Sequence, residues 1–339
     1  SALSRFEARI AADVAQDSIA SIAAGVVVDG KVVWQRAFGW ADVARAVPAR
    51  SDMLYRTGSI SKSFTAMMLV LLAERGVLSL DDPVEKFLPE IRGLDGYPGG
   101  AEPITFRQLA SHTAGLQREP GLPGAASGPI EGWEEKILAS IPTTGFQITP
   151  GSAYGYSNIG FGILGLAISR AAGRPFMNLV TEEIFRPLGM SSSTFVVGEE
   201  LLPLLTSGYA NRRDGTVDAE QPAMEHAGRG YKVPNGGIYS TAADLCRFMA
   251  AMCGHPGFPL LSAGARSEIL RQQTPPDGSA YGLGFSLQHT EEGVLLAGHG
   301  RFRATRPISS LRPPKGLVSC CCATTVAGTP IWGGPQGSC

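Results

Sequence analysis

The chain has 339 residues, 44% hydrophobic and 17% charged, with a formal net charge of -1. A chain this long buries roughly 75% of its unfolded surface, enough for two domains or one large composite domain, and the near-neutral balance argues against binding nucleic acid or an anionic membrane by bulk electrostatics. No apolar run approaches the roughly 20 residues of a bilayer span; Cys246, Cys253, Cys320, Cys321, Cys322 and Cys339 make neither zinc-type pairs nor an even disulfide framework, so a reducing, cytoplasmic location is expected over a periplasmic or secreted one, which a chain starting at Ser1 leaves open.

Leu3, Phe6, Ile10 and Val14 recur at helical spacing and predict an N-terminal helix. Ala23 to Val28 and Lys31 to Phe38 read as two strands joined at Asp29 and Gly30, a pair suited to the positive φ angles of a tight hairpin. Thr57, Gly58, Ser59, Ile60, Ser61, Lys62, Ser63, Phe64 comes next, opening an amphipathic helix whose apolar face is Phe64, Met67, Met68, Leu71 and Leu72, with Gly76 as the stop. Free N-H groups and the positive dipole end in a first turn favour negative charge on oxygen. Residues three apart on a helix are neighbours, so the Lys62 amine can reach the Ser59 hydroxyl, placing nucleophile and base in one cassette. The tetrapeptide alone fits an N-capping serine and a solvated lysine equally well.

Asp82, Pro83 and Glu85 read as N-cap, first position and capping partner of a short helix ending near Pro89. Thr105 and Gln108 repeat that grammar before Leu109, with Gly115 as the stop. His112, between Ser111 and Thr113, reads as a hydrogen-bonded structural residue in preference to a catalytic base. Residues Pro120 to Gly128 form a loop that would border a substrate cleft. The turn at 150–158 feeds a buried helix, with Tyr156 and Asn158 at its mouth; taken alone, these two read as an aromatic anchor and an N-cap. Gly236 to Asp244 reads as a tight backbone approach and a helix capped by Thr241, with Cys246 and Cys253 as core thiols. Gly282 to Gln288 and Val294 to His299 make a second hairpin pattern, so strands gather at both chain ends and one sheet built from both termini is expected.

Ser59-x-x-Lys62, then Tyr156-x-Asn158, then a strand ending at His299 and Gly300 resembles, in that order, the serine β-lactamase and penicillin-binding-protein superfamily. Tyr in the second motif and His in the third are similar to the class C branch and its family VIII carboxylesterase relatives. The surrounding phrases Tyr55 to Ser63, Ile104 to Leu116, Pro150 to Asn158 and Gly236 to Asp244 read the same way, and the resemblance spans about Ser21 to Gly300. It implies an α/β (α+β) fold of β-lactamase/transpeptidase type: an antiparallel sheet flanked by helices, built from residues 1–77 and 225–339, a mainly helical region over 78–224, and the active site in the cleft between them.

The resemblance further implies Ser59 as the acyl-accepting nucleophile and Lys62 with Tyr156 as a shared base. Their ordinary pKa values are near 10, so one must be held deprotonated. Asn158 would bind a substrate carbonyl or the Lys62 amine, His299 and Gly300 would face the substrate, and the N-H groups of Ser59 and Phe302 would form the oxyanion hole. Arg301 departs from the third motif, which ordinarily has glycine there. A histidine at 299 is mostly neutral at pH 7, so the chain is expected to hydrolyse short-chain carboxylic esters. The alternatives are a β-lactam or D-amino-acid peptide hydrolase using the same site and a catalytically silent penicillin-recognition protein. No cofactor or metal is called for; the expected partner is a small-molecule ester or β-lactam, not nucleic acid, and the oligomeric state is left open. Beyond residue 300, residues 308–311 and 317–326 read as strand, turn and strand, and the segment after Gly328 lacks the helical period with which the family ends.

Overall fold

The computed structural model describes residues 2–16, 20–28, 31–97, 103–211, 217–222, 228–276, 278–290, 293–297 and 318–324. In chain order these form α1 (Ala2–Gln16), β1 (Ser21–Val28), β2 (Lys31–Asp42), β3 (Val47–Pro48), β4 (Tyr55–Arg56), α2 (Ser61–Glu74), α3 (Phe106–Ala110), α4 (Trp133–Ser140), α5 (Asn158–Ala172) and α6 (Phe176–Val180). They continue with β5 (Tyr209–Asn211), β6 (Val217–Pro222), β7 (Tyr239–Ser240), α7 (Ala242–Met252), α8 (Ala263–Leu270), β8 (Ser286–Thr290), β9 (Gly293–Ala297) and β10 (Val318–Thr324). The turn residues Asp29 and Gly30 lie outside the described residues, but Val28 pairs with Lys31 across the hairpin.

The main sheet runs β10-β1-β2-β3, antiparallel throughout. Ser21 pairs with Thr324 and Val27 with Val318, so an early and a late strand share this sheet, whereas the β8-β9 hairpin, expected to join it, forms a separate two-stranded sheet among the described residues. Successive side chains of a strand point to opposite faces, and β1 divides accordingly. Ile22 and Ala24 pack with Ile10, Phe6 and Val14 of α1, while Ala23 and Val27 join the main core with Cys246 of α7. Cys253, the C-cap directly after buried Met252, is exposed, so only one of the two expected core thiols is in the core. The stretch expected to be helical also contains the β5-β6 hairpin, and α7 and α8 lie outside it.

The helix after Ser59 differs from its expected form. It is buried on every side from Ser61 to Leu72, because α5, α6 and α8 surround it and Phe64 stacks on Phe248 at 3.9 Å. Its polar residues survive burial because each is hydrogen-bonded. Ser63 Oγ donates to Gly284 O (2.8 Å) and Thr65 Oγ1 to Pro234 O (2.6 Å), while Ser61 Oγ accepts from Ile238 N (3.2 Å). The second long helix, α5, is also buried, and its small residues admit close neighbours. A Cβ on Gly162 would lie 2.4 Å from Ile137 and 3.1 Å from Tyr231, and one on Gly165 would lie 2.2 Å from Pro234. The segment 231–235 is thereby pressed between α5 and α2.

Of two local capping expectations, one is met and one is not. Thr105 and Gln108 form the reciprocal capping box that was expected. Asp82 caps nothing: its carboxylate accepts from Ser79 N (2.9 Å) and from Lys86 Nζ (3.2 Å), and only short 3-10 turns follow, at Val84–Lys86 and Pro89–Gly93.

Candidate active site

Ser59 sits in a 3-10 turn, Gly58–Ile60, that runs directly into α2. Gly58 has φ +53°, the left-handed region that a side chain disfavours, and this bend swings the chain out of β4 so that Ser59 stays half-exposed above a buried helix. The bend is tied to the Gly236–Ser240 segment. β4 pairs with β7, Thr57 N donates to Ile238 O (2.9 Å), and Thr57 Oγ1 donates to the same oxygen (3.0 Å).

Lys62, one turn into the helix, is almost wholly buried, and its Nζ lies 2.9 Å from Ser59 Oγ, 2.8 Å from Asn158 Oδ1 and 3.1 Å from Asn235 O. Tyr156 O-H donates to Ser59 Oγ at 2.8 Å. The structure thus brings Ser59, Lys62, Tyr156 and Asn158 together; His299, Gly300 and Phe302 lie outside the described residues.

Asn158 is not the cap of α5. Ser157 is, accepting from Gly160 N (2.9 Å), and this frees Asn158 to turn its amide toward Lys62. His112 falls behind the site. Its ring lies 4.4 Å from that of Tyr156, and Ser157 N donates to its Nδ1 at 3.1 Å, which puts the ring proton on Nε2. Burial, then the charges of Lys62 and Arg118, holds its pKa well below the usual imidazole value, so the ring is neutral. Three nearby charged residues were not singled out from the sequence: Arg118, exposed, with its guanidinium carbon 4.6 Å from the Tyr156 ring centre; Glu119, which accepts from Asn158 Nδ2 at 2.6 Å; and Lys232, 3.3 Å from Glu119.

Burial is the largest influence on Lys62 and pushes its pKa well below 10.5, with Arg118, Lys232 and Arg56 adding to the shift and Glu119 opposing it. The consequence for stability has a definite sign. Between the lowered folded pKa and the unfolded value of about 10.4, the unfolded chain holds a proton on Lys62 that the folded chain lacks, so stability from this group rises with pH by about 1.4 kcal/mol per unit and levels off above about 10.4. Lys62→Met has no amine and no such slope. Denaturant titrations of both proteins at several pH values should show the wild type gaining on Lys62→Met as pH rises through this window, and parallel curves would mean that the buried amine stays charged.

Helices packed on an antiparallel sheet, with a serine at the head of a buried helix, are the architecture of the β-lactamase/transpeptidase-like folds. The structure superimposes on the octameric penicillin-binding protein homologue from Pyrococcus abyssi with a TM-score of 0.69 at 25% identity, over 84% of this chain and 65% of that one. The chain belongs to the Beta-lactamase family, whose model matches residues 6–318, and the members of this superfamily are serine hydrolases. It is 30% identical over 282 residues to the D-alanyl-D-alanine-carboxypeptidase/endopeptidase AmpH of Escherichia coli (strain K12), covering 79% of this chain and 69% of AmpH. It is also 30% identical over 288 residues to esterase EstB of Burkholderia gladioli, covering 76% of this chain and 72% of EstB. No helix among the described residues is long and apolar enough to cross a membrane.

Proposed function

We propose that this chain hydrolyses short-chain carboxylic esters through an acyl-enzyme on Ser59, with Lys62 and Tyr156 as the proton-handling pair and Asn158 as the residue that holds Lys62. One observation carries the reading. A neutral amine has two N-H donors and one lone pair, and two carbonyl oxygens, Asn158 Oδ1 and Asn235 O, stand at 2.8 and 3.1 Å to take the two donors, leaving the lone pair for Ser59 at 2.9 Å. Burial favours that neutral form, which in this reading makes Lys62 the base and lets the tyrosine stay protonated.

In this reading the Ser59 proton passes to Nζ as Oγ attacks the ester carbonyl. The Tyr156 hydroxyl, on the same Oγ, relays the proton held on Nζ to the departing alkoxide, which leaves Lys62 neutral to act again as base when water cleaves the acyl-enzyme and Ser59 regains its proton. The site lies where the start of α2 meets the turn before α5, in keeping with a two-part layout of 1–77 plus 225–339 against 78–224. His299, Gly300 and Phe302 complete the reading as substrate-facing residues.

Ester preference rests on a neutral His299 and on the likeness to EstB. A carboxylate-bearing β-lactam or D-amino-acid peptide is the second reading, favoured by the exposed Arg118 guanidinium against Tyr156 and by the likeness to AmpH. The purified chain should cleave short-chain p-nitrophenyl esters at least tenfold faster than a chromogenic cephalosporin, which corresponds to about 1.4 kcal/mol. The reverse order establishes the second reading, and loss of both activities refutes the first two together. A phosphonate inhibitor should modify Ser59, as peptide mass mapping would show.

A further inference from the structure

Beyond the hydroxyl, amine and phenol, a carboxylate reaches the site at one remove. Asn158 Nδ2 donates to Glu119 Oε1 at 2.6 Å, and because an amide nitrogen cannot accept, this contact forces Oδ1 toward Lys62. Glu119 is itself held: Tyr231 O-H donates to Oε2, and Lys232 Nζ lies 3.3 Å from the same oxygen. Tyr231 is fully buried against Gly162 of α5, and its hydroxyl pKa is raised by burial and by Glu119, so it remains a donor. Burial pushes the Glu119 carboxyl up, but Lys232 and the Tyr231 and Asn158 donors outweigh it and leave the pKa below the usual value. Glu119 is ionised.

We propose that Glu119 is a positioning residue: through the Asn158 amide it aims the lone pair of Lys62 at Ser59, and with Lys232 it forms a charge pair that sets the pH at which the amine becomes available. The inference rests on the reading of Ser59 and Lys62 given above. Without the carboxylate, the Asn158 amide is free to turn over, and its N-H groups then compete with the Ser59 hydroxyl for the Lys62 lone pair. Glu119 carries the negative charge in the set around Lys62. The other charged or titratable groups facing the amine are Arg56 from β4, His112 and Arg118 from the stretch after α3, Tyr156 from the turn before α5, and Lys232.

Two substitutions move that balance in opposite directions. Glu119→Gln removes a negative charge, which lowers the Lys62 pKa and moves the acid limb of the pH profile to lower pH. Lys232→Met removes a positive charge and moves the limb to higher pH. A single charge at this range, in partly screened surroundings, is worth a shift of about one pH unit. Above the limb, Glu119→Ala, which removes the acceptor oxygen that Glu119→Gln keeps, should react roughly ten- to a hundredfold more slowly because alignment is lost.

The readout is the rate of inactivation by a phosphonate ester as a function of pH, with Ser59 confirmed as the modified residue. This follows the serine itself and does not depend on deacylation. Opposite shifts in the two variants support the proposal. A stationary limb, or shifts in the same direction, overturns it even if rates fall, since a merely structural role slows reaction without moving the limb. If Glu119→Gln does not fold, Lys232→Met decides alone, and an unmoved limb there overturns the charge-pair assignment. Failure of the wild type to be modified at Ser59 would instead overturn the underlying reading of the site.

Discussion

Replacing Ser59 by alanine is expected to abolish ester turnover, a loss of several orders of magnitude, while leaving the fold and its cooperative unfolding in place. The Ser59 side chain contributes one oxygen, which contacts Lys62 and Tyr156, in a half-exposed turn tied by the backbone bond from Thr57 N to Ile238 O. Its removal should change stability by no more than about 1 kcal/mol, the scale of substitutions that make no cavity and strand no buried charge. Initial rates on short-chain p-nitrophenyl esters, set beside thermal unfolding of the same sample, check both halves. More than a trace of activity in pure mutant protein would remove Ser59 from the nucleophile's role.

The part of this site legible in the sequence is the part that obeys local spacing. Ser59 and Lys62 are three apart at a helix start, and that spacing makes them neighbours able to meet at 2.9 Å. The capping box at Thr105 was readable for the same reason, since both partners lie within one turn. Tyr156 and Asn158 stood out by their order after the first motif, but nothing local said that Ser157, not Asn158, would cap α5. Both are good capping residues; what separates them is the distant Lys62 and Glu119, which occupy the Asn158 amide.

Glu119, Lys232 and Asn235 were missed for a related reason. Glu119 and Lys232 are an unremarkable acid and base in sequence, and acquire meaning only when the 231–235 segment is pressed between α2 and α5. One signal was present: Gly162 and Gly165 leave bare backbone on a helix otherwise rich in large apolar residues, which marks a place where another chain segment comes close. The burial of α2 was misjudged because a spacing of three and four fixes one buried face and is silent about the other. Ser61, Ser63 and Thr65 do not belong to that apolar set, yet each is buried and finds a partner inside the protein.

Tyr156→Phe and Lys62→Ala should each lower the acylation rate by several orders of magnitude, and the double variant should be little slower than the worse single one. The two groups meet on one atom: the phenol donates to Ser59 Oγ at 2.8 Å, the amine lies 2.9 Å from the same oxygen, and Nζ stands 4.8 Å from the centre of the Tyr156 ring. In the proposed mechanism a proton leaving Ser59 passes into this pair, so once either member is gone the other has no complete route to serve, and residues acting as one unit lose their effect together. Tyr156→Phe is the cleaner of the two changes, because the ring keeps its place against His112 and beneath Arg118 and only the hydroxyl is lost. Lys62→Ala also empties a buried volume and strands Asn158 Oδ1, so Lys62→Met, which fills the same space without an amine, is the matched control. Single-turnover acylation with a p-nitrophenyl ester measures the step directly. Losses that multiply in the double variant would show that the two side chains act independently, and that one of them serves to pack the cleft without handling the proton.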